Sequence, residues 1–174
     1  LAHADFCDCV TKYIENGEVP VRVTHNDTKL NNIMIDCHSG EAICVIDLDT
    51  VMPGSALYDF GDAIRYGANN AVEDEKDLSK VYLRKDLFRA FTKGFLEEAS
   101  SSLTERELAL IPESAVLMTL ECGMRFLGDY LNGDVYFGIR YPEHNLDRAR
   151  TQLKLVNDML ANLDEMHAIV DSYR

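Results

Sequence analysis

Apolar residues recur at three- and four-residue steps along most of this chain, with polar residues between them. This spacing is typical of helices that bury one face. Thr104 and Glu107 fit a capping box at the start of one such helix, whereas Pro112 predicts a new helix or a kink inside it. The predicted helices cover residues 3–16, 57–66, 79–99, 105–131 and 146–170.

Short apolar runs of a different kind occur in the first third of the chain. Residues 32–36 and 42–47 are predicted to form two strands, joined by a tight turn at residues 39–40. Because a hairpin brings its open ends together, we expect Asn32 and Asp47 to lie side by side. The polar residues at this end of the hairpin are therefore candidates for a shared site.

The remaining segments complete a mainly helical domain. Residues 19–24 are predicted to be extended, and residues 51–55, which contain Pro53 and Gly54, to form a loop. A chain of 174 residues is long enough for one domain with a core and too short for two. The sequence therefore predicts a single domain over residues 1–174, of the α+β class and mainly α, with a small β-hairpin near its N-terminal side.

Charge and composition narrow the choice of partners. The net charge is −13, so the phosphate backbone of a nucleic acid would be repelled. No stretch of about 18 apolar residues occurs, and we expect no membrane segment. The cysteines include no metal-spaced pair such as C-x-x-C, which favours reduced thiols in a cytoplasmic protein. They are Cys7, Cys9, Cys37, Cys44 and Cys122.

The clearest chemical motif is H-N-D-T-K-L-N-N at residues 25–32, which fits the kinase catalytic-loop pattern H-x-D-x-x-x-x-N. In that interpretation Asp27 is the catalytic base that orients the acceptor hydroxyl. Lys29 meets the transferring phosphate as a point charge, and His25 makes a hydrogen bond that shapes the loop. The alternative for Asp27 is a turn residue or a helix cap, since the pattern alone is weakly specific.

A magnesium site is predicted where the hairpin ends, with residues 46–50 as its metal loop. Asn32 and Asp47 supply the hard oxygen ligands that Mg²⁺ prefers. Asp49 is a candidate for organising the metal or its water, with a loop hydrogen bond as the alternative. Asp59, near the start of the following helix, is expected to accept backbone N–H groups of the catalytic loop. A plain N-cap is the alternative for Asp59.

Three blocks of sequence resemble the aminoglycoside phosphotransferase family, and most closely its N-acetylhexosamine 1-kinases. They are H-N-D-T-K-L-N-N, V-I-D-L-D-T-V-M-P-G at residues 45–54 and Y-D-F-G-D-A-I-R at residues 58–65. The stretches at residues 120–131 and 133–137 are also similar to that group. The resemblance implies the C-terminal lobe of the protein-kinase-like fold.

The same resemblance implies an activity and a substrate site. The expected reaction is ATP- and Mg²⁺-dependent phosphorylation of the anomeric hydroxyl of N-acetylglucosamine or N-acetylgalactosamine. ATP and the small-molecule sugar are then the partners. Arg125 and Tyr136 align with positions that contact the sugar. The alternative is that Arg125 pairs with Glu121, one helical turn earlier, and that Tyr136 only packs.

The glycine-rich loop of a kinase has no counterpart in this sequence, because no G-x-G-x-x-G motif occurs in it. We therefore expect residues 1–174 to be a lobe without its N-terminal nucleotide-binding lobe, and to be inactive alone. The surface left exposed would favour a homodimer. Two alternatives stay open: a kinase of another small alcohol (choline, homoserine or an aminoglycoside), and a non-catalytic kinase-like interaction module.

Overall fold

A computed structural model describes residues 3–174 of the chain. The fold is α+β and mainly helical, as predicted. The helices are α1 (Thr11–Glu15), α2 (Ala56–Gly67), α3 (Lys85–Ala99), α4 (Glu105–Leu131), α5 (His144–Ala161) and α6 (Leu163–Asp171). The strands are β1 (Arg22–Thr24), β2 (Ile33–Ile35), β3 (Ala42–Val45) and β4 (Met52–Gly54).

The long helix α4 is the centre of the fold, and α2, α5 and α6 pack against it. Phe60 of α2, Ile111 of α4 and Leu155 of α5 are fully buried in the core between them. Gly61 allows α2 to approach α4, because a Cβ there would come within 2.3 Å of the Ser114 carbonyl oxygen. Glycine is therefore required where the two helices cross.

The predicted hairpin is confirmed. β2 and β3 pair antiparallel, with Ile33 opposite Val45. Gly40 in the connecting turn has a φ of +74°, a left-handed conformation that glycine adopts without strain. The Ile46 N–H then donates to the Asn32 carbonyl at 2.9 Å, so the open end of the hairpin is closed by a further hydrogen bond.

The predicted loop at residues 51–55 was wrong. Met52–Gly54 forms β4, which pairs antiparallel with β1 (Arg22–Thr24). Pro53 is tolerated because this sheet has only two strands, so each strand has a free edge that needs no N–H donor. The pairing joins the chain before the catalytic-loop motif to the chain after the metal loop.

Several helix boundaries also differ from the prediction. In the segment 3–16, only Ala4–Phe6 (3₁₀) and Thr11–Glu15 (α) are helical. α3 begins at Lys85 rather than at residue 79, because the Leu83 N–H donates to Asp158 at 2.8 Å and the preceding chain pairs with the end of α2. α4 continues through Pro112 without starting a new helix. The last predicted helix is two helices, α5 and α6.

A partly buried ion pair joins the β1–β4 sheet to α4. Arg22 of β1 donates through Nε and Nη2 to Glu107 at 2.8 and 2.7 Å. Glu107 also completes the predicted capping box with Thr104 at the start of α4. Because the Glu107 side chain is fully buried, this pair fixes β1 on α4.

Many exposed apolar side chains lie on the four strands and their flanking residues, and we call them the strand apolar residues. They are Val21, Val23, Met34, Ile35, Ile43, Val45, Ile46, Leu48, Val51 and Met52. Across residues 3–174, the helices are too short or too polar to cross a membrane.

Candidate functional site

The catalytic-loop motif is anchored on α2 by one carboxylate. Asp59 accepts the backbone N–H of His25 at 2.8 Å and that of Asn26 at 2.7 Å. The Thr28 hydroxyl donates to the backbone oxygen of the same Asp59. Asn26 has a φ of +63°, so the loop turns sharply at the point where Asp59 holds it. The contacts are those predicted for Asp59.

The His25 ring joins the loop to the end of the hairpin. Its Nε2 lies 3.0 Å from the Ile46 carbonyl oxygen, and its Nδ1 accepts the Asp27 N–H at 3.2 Å. With Nδ1 accepting, Nε2 carries the proton and donates to Ile46. Both ring nitrogens are therefore engaged in holding the loop, which leaves His25 in the structural position predicted from the sequence.

Asp27 lies between two hydrogen-bond donors. Its carboxylate accepts from Lys29 Nζ at 2.7 Å and from Asn32 Nδ2 at 2.9 Å. Burial alone would raise the pKa of the Asp27 carboxyl, but these two hydrogen bonds outweigh burial and hold that pKa below its ordinary value. Asp27 is thus a charged, oriented acceptor at neutral pH.

Lys29 lies in a strongly acidic setting. Its hydrogen bond to Asp27 and the negative charges of Asp47 and Asp62 raise the pKa of the Lys29 ammonium, against the effect of burial. The ammonium group is therefore charged. A third of the Lys29 side chain is exposed, so it can meet an anionic group that approaches Asp27.

Asn32 and Asp47 flank the paired strands at the open end of the hairpin, where the Ile46 N–H donates to the Asn32 carbonyl at 2.9 Å. The Asn32 side-chain amide nitrogen donates to Asp27 twice, to its backbone carbonyl oxygen at 2.8 Å and to its carboxylate at 2.9 Å. Its own Oδ1 is then the end that can face a cation. Asp47 is exposed and has a φ of +63°, a conformation rare for residues other than glycine and asparagine.

The oxygen atoms of Asn32 and Asp47 suit Mg²⁺, which needs few protein ligands, better than they suit a metal ion whose ligands all come from the protein. Among residues 3–174, no group of three or more His, Cys, Asp or Glu side chains could hold a metal ion. Mg²⁺ is commonly held by one or two protein oxygens, with water and substrate phosphates completing its shell. Asn32 and Asp47 match that pattern. Asp49 is exposed and accepts no hydrogen bond within the described part of the chain.

A cavity of about 990 Å³ opens beside the catalytic loop. Of the residues predicted from the sequence, Asp27, Lys29, Arg125 and Tyr136 line it. The other predicted residues, which were expected to hold the loop or the metal, lie outside its lining: His25, Asn32, Asp47, Asp49 and Asp59. The structure therefore brings the predicted base together with the two predicted substrate contacts, although about 100 residues of chain separate them.

Arg125 lies on α4 with its guanidinium over two aromatic rings, those of Tyr136 at 5.7 Å and Phe137 at 5.3 Å. Its Nε is 3.6 Å from a Glu121 carboxylate oxygen. The ion pair between Arg125 and Glu121, which was the alternative to sugar binding, is thus present, but its N–O distance is long. Tyr136 is mostly exposed, so it does not belong to the core.

The loop that carries Tyr136 is shaped by Asp129. This carboxylate accepts the backbone N–H groups of Val135, Tyr136 and Phe137 at 3.0, 2.9 and 2.9 Å. Burial opposes ionisation of Asp129, but the three N–H donors keep its pKa below the ordinary value. Asp129 acts on the cavity through the loop rather than by lining it.

The sequence analysis missed much of the charged lining. Arg65 bonds to Asp62 at 2.8 Å and to Glu73 at 3.2 Å. His144, which is buried, bonds to Asp74 at 3.1 Å. Asp62 and Arg65 stand three residues apart inside Y-D-F-G-D-A-I-R, and that spacing on one helix could have indicated the pair. The other contacts join residues far apart in sequence, so no local pattern marks them.

One family model matches this chain. Its description is "Phosphotransferase enzyme family" (APH), and it matches residues 4–94, just over half of the chain. The matched stretch contains the catalytic loop, the hairpin with Asp47, and α2 with Asp59. Arg125 and Tyr136 lie beyond it, on the part of the cavity wall that α4 and the following loop form.

Proposed function

Because the chain belongs to the phosphotransferase enzyme family, we propose that it transfers phosphate from ATP to the anomeric hydroxyl of an N-acetylhexosamine. N-acetylglucosamine and N-acetylgalactosamine are the two proposed acceptors, and Mg²⁺ is the proposed cofactor. The observation that carries the proposal is the shared cavity: Asp27 and Lys29 line it together with Arg125 and Tyr136.

Asp27 is the proposed base. The acceptor hydroxyl donates its hydrogen bond to the Asp27 carboxylate, which aligns the hydroxyl oxygen for attack and receives its proton. Lys29, 2.7 Å from Asp27, is close enough to meet the negative charge of the phosphoryl group. Asn32 and Asp47 would hold Mg²⁺, which neutralises phosphate charge when bound.

The charge of the cavity supports a neutral acceptor. Four of its carboxylates accept hydrogen bonds from cationic or imidazole partners: Asp27 from Lys29, Asp62 and Glu73 from Arg65, and Asp74 from His144. The fifth, Glu121, lies 3.6 Å from the Arg125 cation, which disfavours a cationic ligand there. A polycationic aminoglycoside or a choline would need carboxylates or aromatic faces free to meet its charge. A sugar instead needs donors and acceptors, and Arg125 offers a rigid fork of N–H groups to hydroxyl and acetamido oxygens.

The test is ³¹P NMR of the full-length parent protein with ATP, Mg²⁺ and each N-acetylhexosamine, because we propose that a nucleotide-binding lobe outside residues 1–174 completes the ATP site. Asp27→Asn is measured alongside. Asn has the size of Asp but cannot take the proton, so the expected result is a sugar 1-phosphate signal that disappears in the variant. Thermal unfolding of both proteins controls for folding. A sugar 1-phosphate formed equally fast by Asp27→Asn would contradict the role of Asp27.

Self-association is a second part of this proposal. Exposed apolar side chains are concentrated on the strands and their flanking residues, and we infer that a second copy of the chain covers these strand apolar residues. Val23, the most exposed of these side chains, is the site for a Val23→Lys variant. Light scattering should give a dimer for the unaltered chain and a monomer for the variant; a monomer at all concentrations for both contradicts the dimer.

A cytoplasmic location also belongs to the proposal. All five cysteines are free thiols, and free thiols persist in reducing compartments. Burial raises the pKa of Cys122, which lines the cavity, to about 12. That thiol is therefore neutral at physiological pH, and it takes no part in the proposed reaction.

A further inference from the structure

The five carboxylates that line the cavity differ in how they are hydrogen-bonded. Four accept hydrogen bonds from side chains of the protein: Asp27 from Lys29, Asp62 and Glu73 from Arg65, and Asp74 from His144. Within the described residues, no hydrogen bond reaches the fifth, Glu121. Each of the four accepts through one carboxylate oxygen, whereas Glu121 has both oxygens without a hydrogen bond in the part of the chain that the structure describes.

Glu121 is held where a ligand can reach it. It lies on α4, one turn before Arg125, and its side chain is 42% exposed. The Arg125 Nε is 3.6 Å away, too long for a strong hydrogen bond. The Arg125 guanidinium is placed instead over the rings of Tyr136 and Phe137. Both carboxylate oxygens of Glu121 are thus available on the cavity wall.

The environment of Glu121 favours a ligand that donates hydrogen bonds. Burial raises the pKa of this carboxyl, and the charges of Arg125 and Arg65 only partly oppose that effect. A partly desolvated carboxylate gains from each hydrogen-bond donor that replaces water. An ammonium group is less suitable than a hydroxyl, because the Arg125 cation beside Glu121 would repel it.

We propose that Glu121 is a substrate-binding residue that accepts hydrogen bonds from one or two ring hydroxyls of the acceptor and so selects among sugars by their hydroxyl pattern. The inference rests on the proposed function and deepens it: the acceptor class is a neutral, polyhydroxylated sugar. Asp27 then receives the reacting hydroxyl, while Glu121 and Arg125 hold the rest of the ring.

The experiment measures acceptor affinity, so it needs neither ATP nor turnover. Saturation-transfer NMR titrations would compare N-acetylglucosamine with its 3-, 4- and 6-deoxy analogues on the 174-residue chain. The variants are Glu121→Ala and Glu121→Gln. The matched control is Glu97→Gln, because Glu97 forms a similar ion pair with Lys93, at 3.7 Å and one turn apart, on the exposed side of α3.

The expected result has a specific form. Glu121→Ala weakens N-acetylglucosamine binding about tenfold or more, Glu121→Gln weakens it less because the amide oxygen still accepts, and Glu97→Gln has no effect. One of the deoxy sugars should bind the unaltered chain as weakly as N-acetylglucosamine binds Glu121→Ala. That deoxy sugar should bind Glu121→Ala no more weakly than it binds the unaltered chain. Such non-additivity is the signature of a direct contact.

Other outcomes overturn the inference, and they are distinguishable. If the sugars bind but Glu121→Ala changes no affinity, Glu121 is not a contact, and the proposed function stands. If its effects add to those of every deoxy sugar, Glu121 acts only by placing Arg125, and the inference is again wrong. If neither N-acetylglucosamine nor N-acetylgalactosamine binds the unaltered, folded chain, the proposed function fails and takes this inference with it.

Discussion

Replacing Asp59 by Asn tests how the catalytic loop is held. In the structure the Asp59 carboxylate accepts two backbone N–H groups, those of His25 and Asn26, at 2.8 and 2.7 Å. An Asn side chain has one acceptor oxygen and one NH₂ group. Asp59→Asn therefore keeps one of the two hydrogen bonds. Its side-chain NH₂ group then faces the second backbone N–H, so that backbone donor loses its acceptor.

The magnitude follows from that geometry. A hydrogen bond to a charged group contributes about 1.5–3 kcal/mol, and a buried donor left without a partner costs about 1–3 kcal/mol. Asp59 is only partly buried, so we expect the free energy of unfolding to fall by about 2–3 kcal/mol. In a chain of this size that lowers Tm by roughly 4–12 °C. Because the free energy of unfolding of a whole domain is only about 5–15 kcal/mol, this loss of stability is readily measured.

Two assays report on this change. Thermal unfolding followed by circular dichroism gives the loss of stability, and amide hydrogen exchange shows where it occurs. The amides of His25 and Asn26 should lose protection before those of α4. Asp77→Asn is the control, since Asp77 also accepts a backbone N–H, that of Ser79 at 3.2 Å, but at an exposed cap where Asn serves as well. An unchanged Tm with His25 and Asn26 still protected in Asp59→Asn would refute the reasoning.

Three further predictions concern other parts of the fold. Arg22→Met leaves the buried Glu107 carboxylate unpaired and should cost about 3–5 kcal/mol in urea unfolding; a cost below about 1 kcal/mol would contradict the partly buried pair. Burial raises the pKa of Glu107, but Arg22 outweighs it and the folded pKa lies below the ordinary 4.5. The stability that this ionised carboxylate contributes is therefore complete above about pH 4.5 and is lost as the pH falls through the lower folded pKa. Glu107→Gln should therefore make the free energy of unfolding less dependent on pH in the acid range. An unchanged acid dependence would argue against this role of Glu107. Finally, ADP release by these 174 residues alone should be near zero, since no glycine-rich loop occurs in the sequence; a robust rate overturns that expectation.

Local patterns predicted those parts of the fold that local interactions determine. The hairpin followed from two apolar runs around a glycine turn, and Gly40 has the left-handed φ that such a turn uses. The capping box of Thr104 and Glu107 is present as predicted, because its two hydrogen bonds join residues three apart. The position of Asp59 near the start of α2 was also predicted locally, although its hydrogen bonds to the His25 and Asn26 N–H groups join residues 34 and 33 apart.

Local patterns failed where tertiary contacts decide the outcome. Pro53 and Gly54 suggested a loop, yet the segment is a strand because β1 is available to pair with it. Of the two outcomes expected at Pro112, a new helix does not occur: α4 continues, and the three helices packed around it offset the lost hydrogen bond. The cavity was only partly predictable: Asp27 and Lys29 belong to a motif, whereas His144 meets Asp74 across 70 residues of chain.

The central claim is that the cavity beside Asp27 takes a neutral N-acetylhexosamine. The measurement that tests it most directly is acceptor binding to the unaltered chain, by saturation-transfer NMR. N-acetylglucosamine and N-acetylgalactosamine would be compared with choline, homoserine and an aminoglycoside, with Arg125→Met as the variant. We predict that the two N-acetylhexosamines bind, that choline, homoserine and the aminoglycoside bind much more weakly, and that Arg125→Met weakens only the sugars. Tight aminoglycoside or choline binding with no N-acetylhexosamine binding would contradict the account.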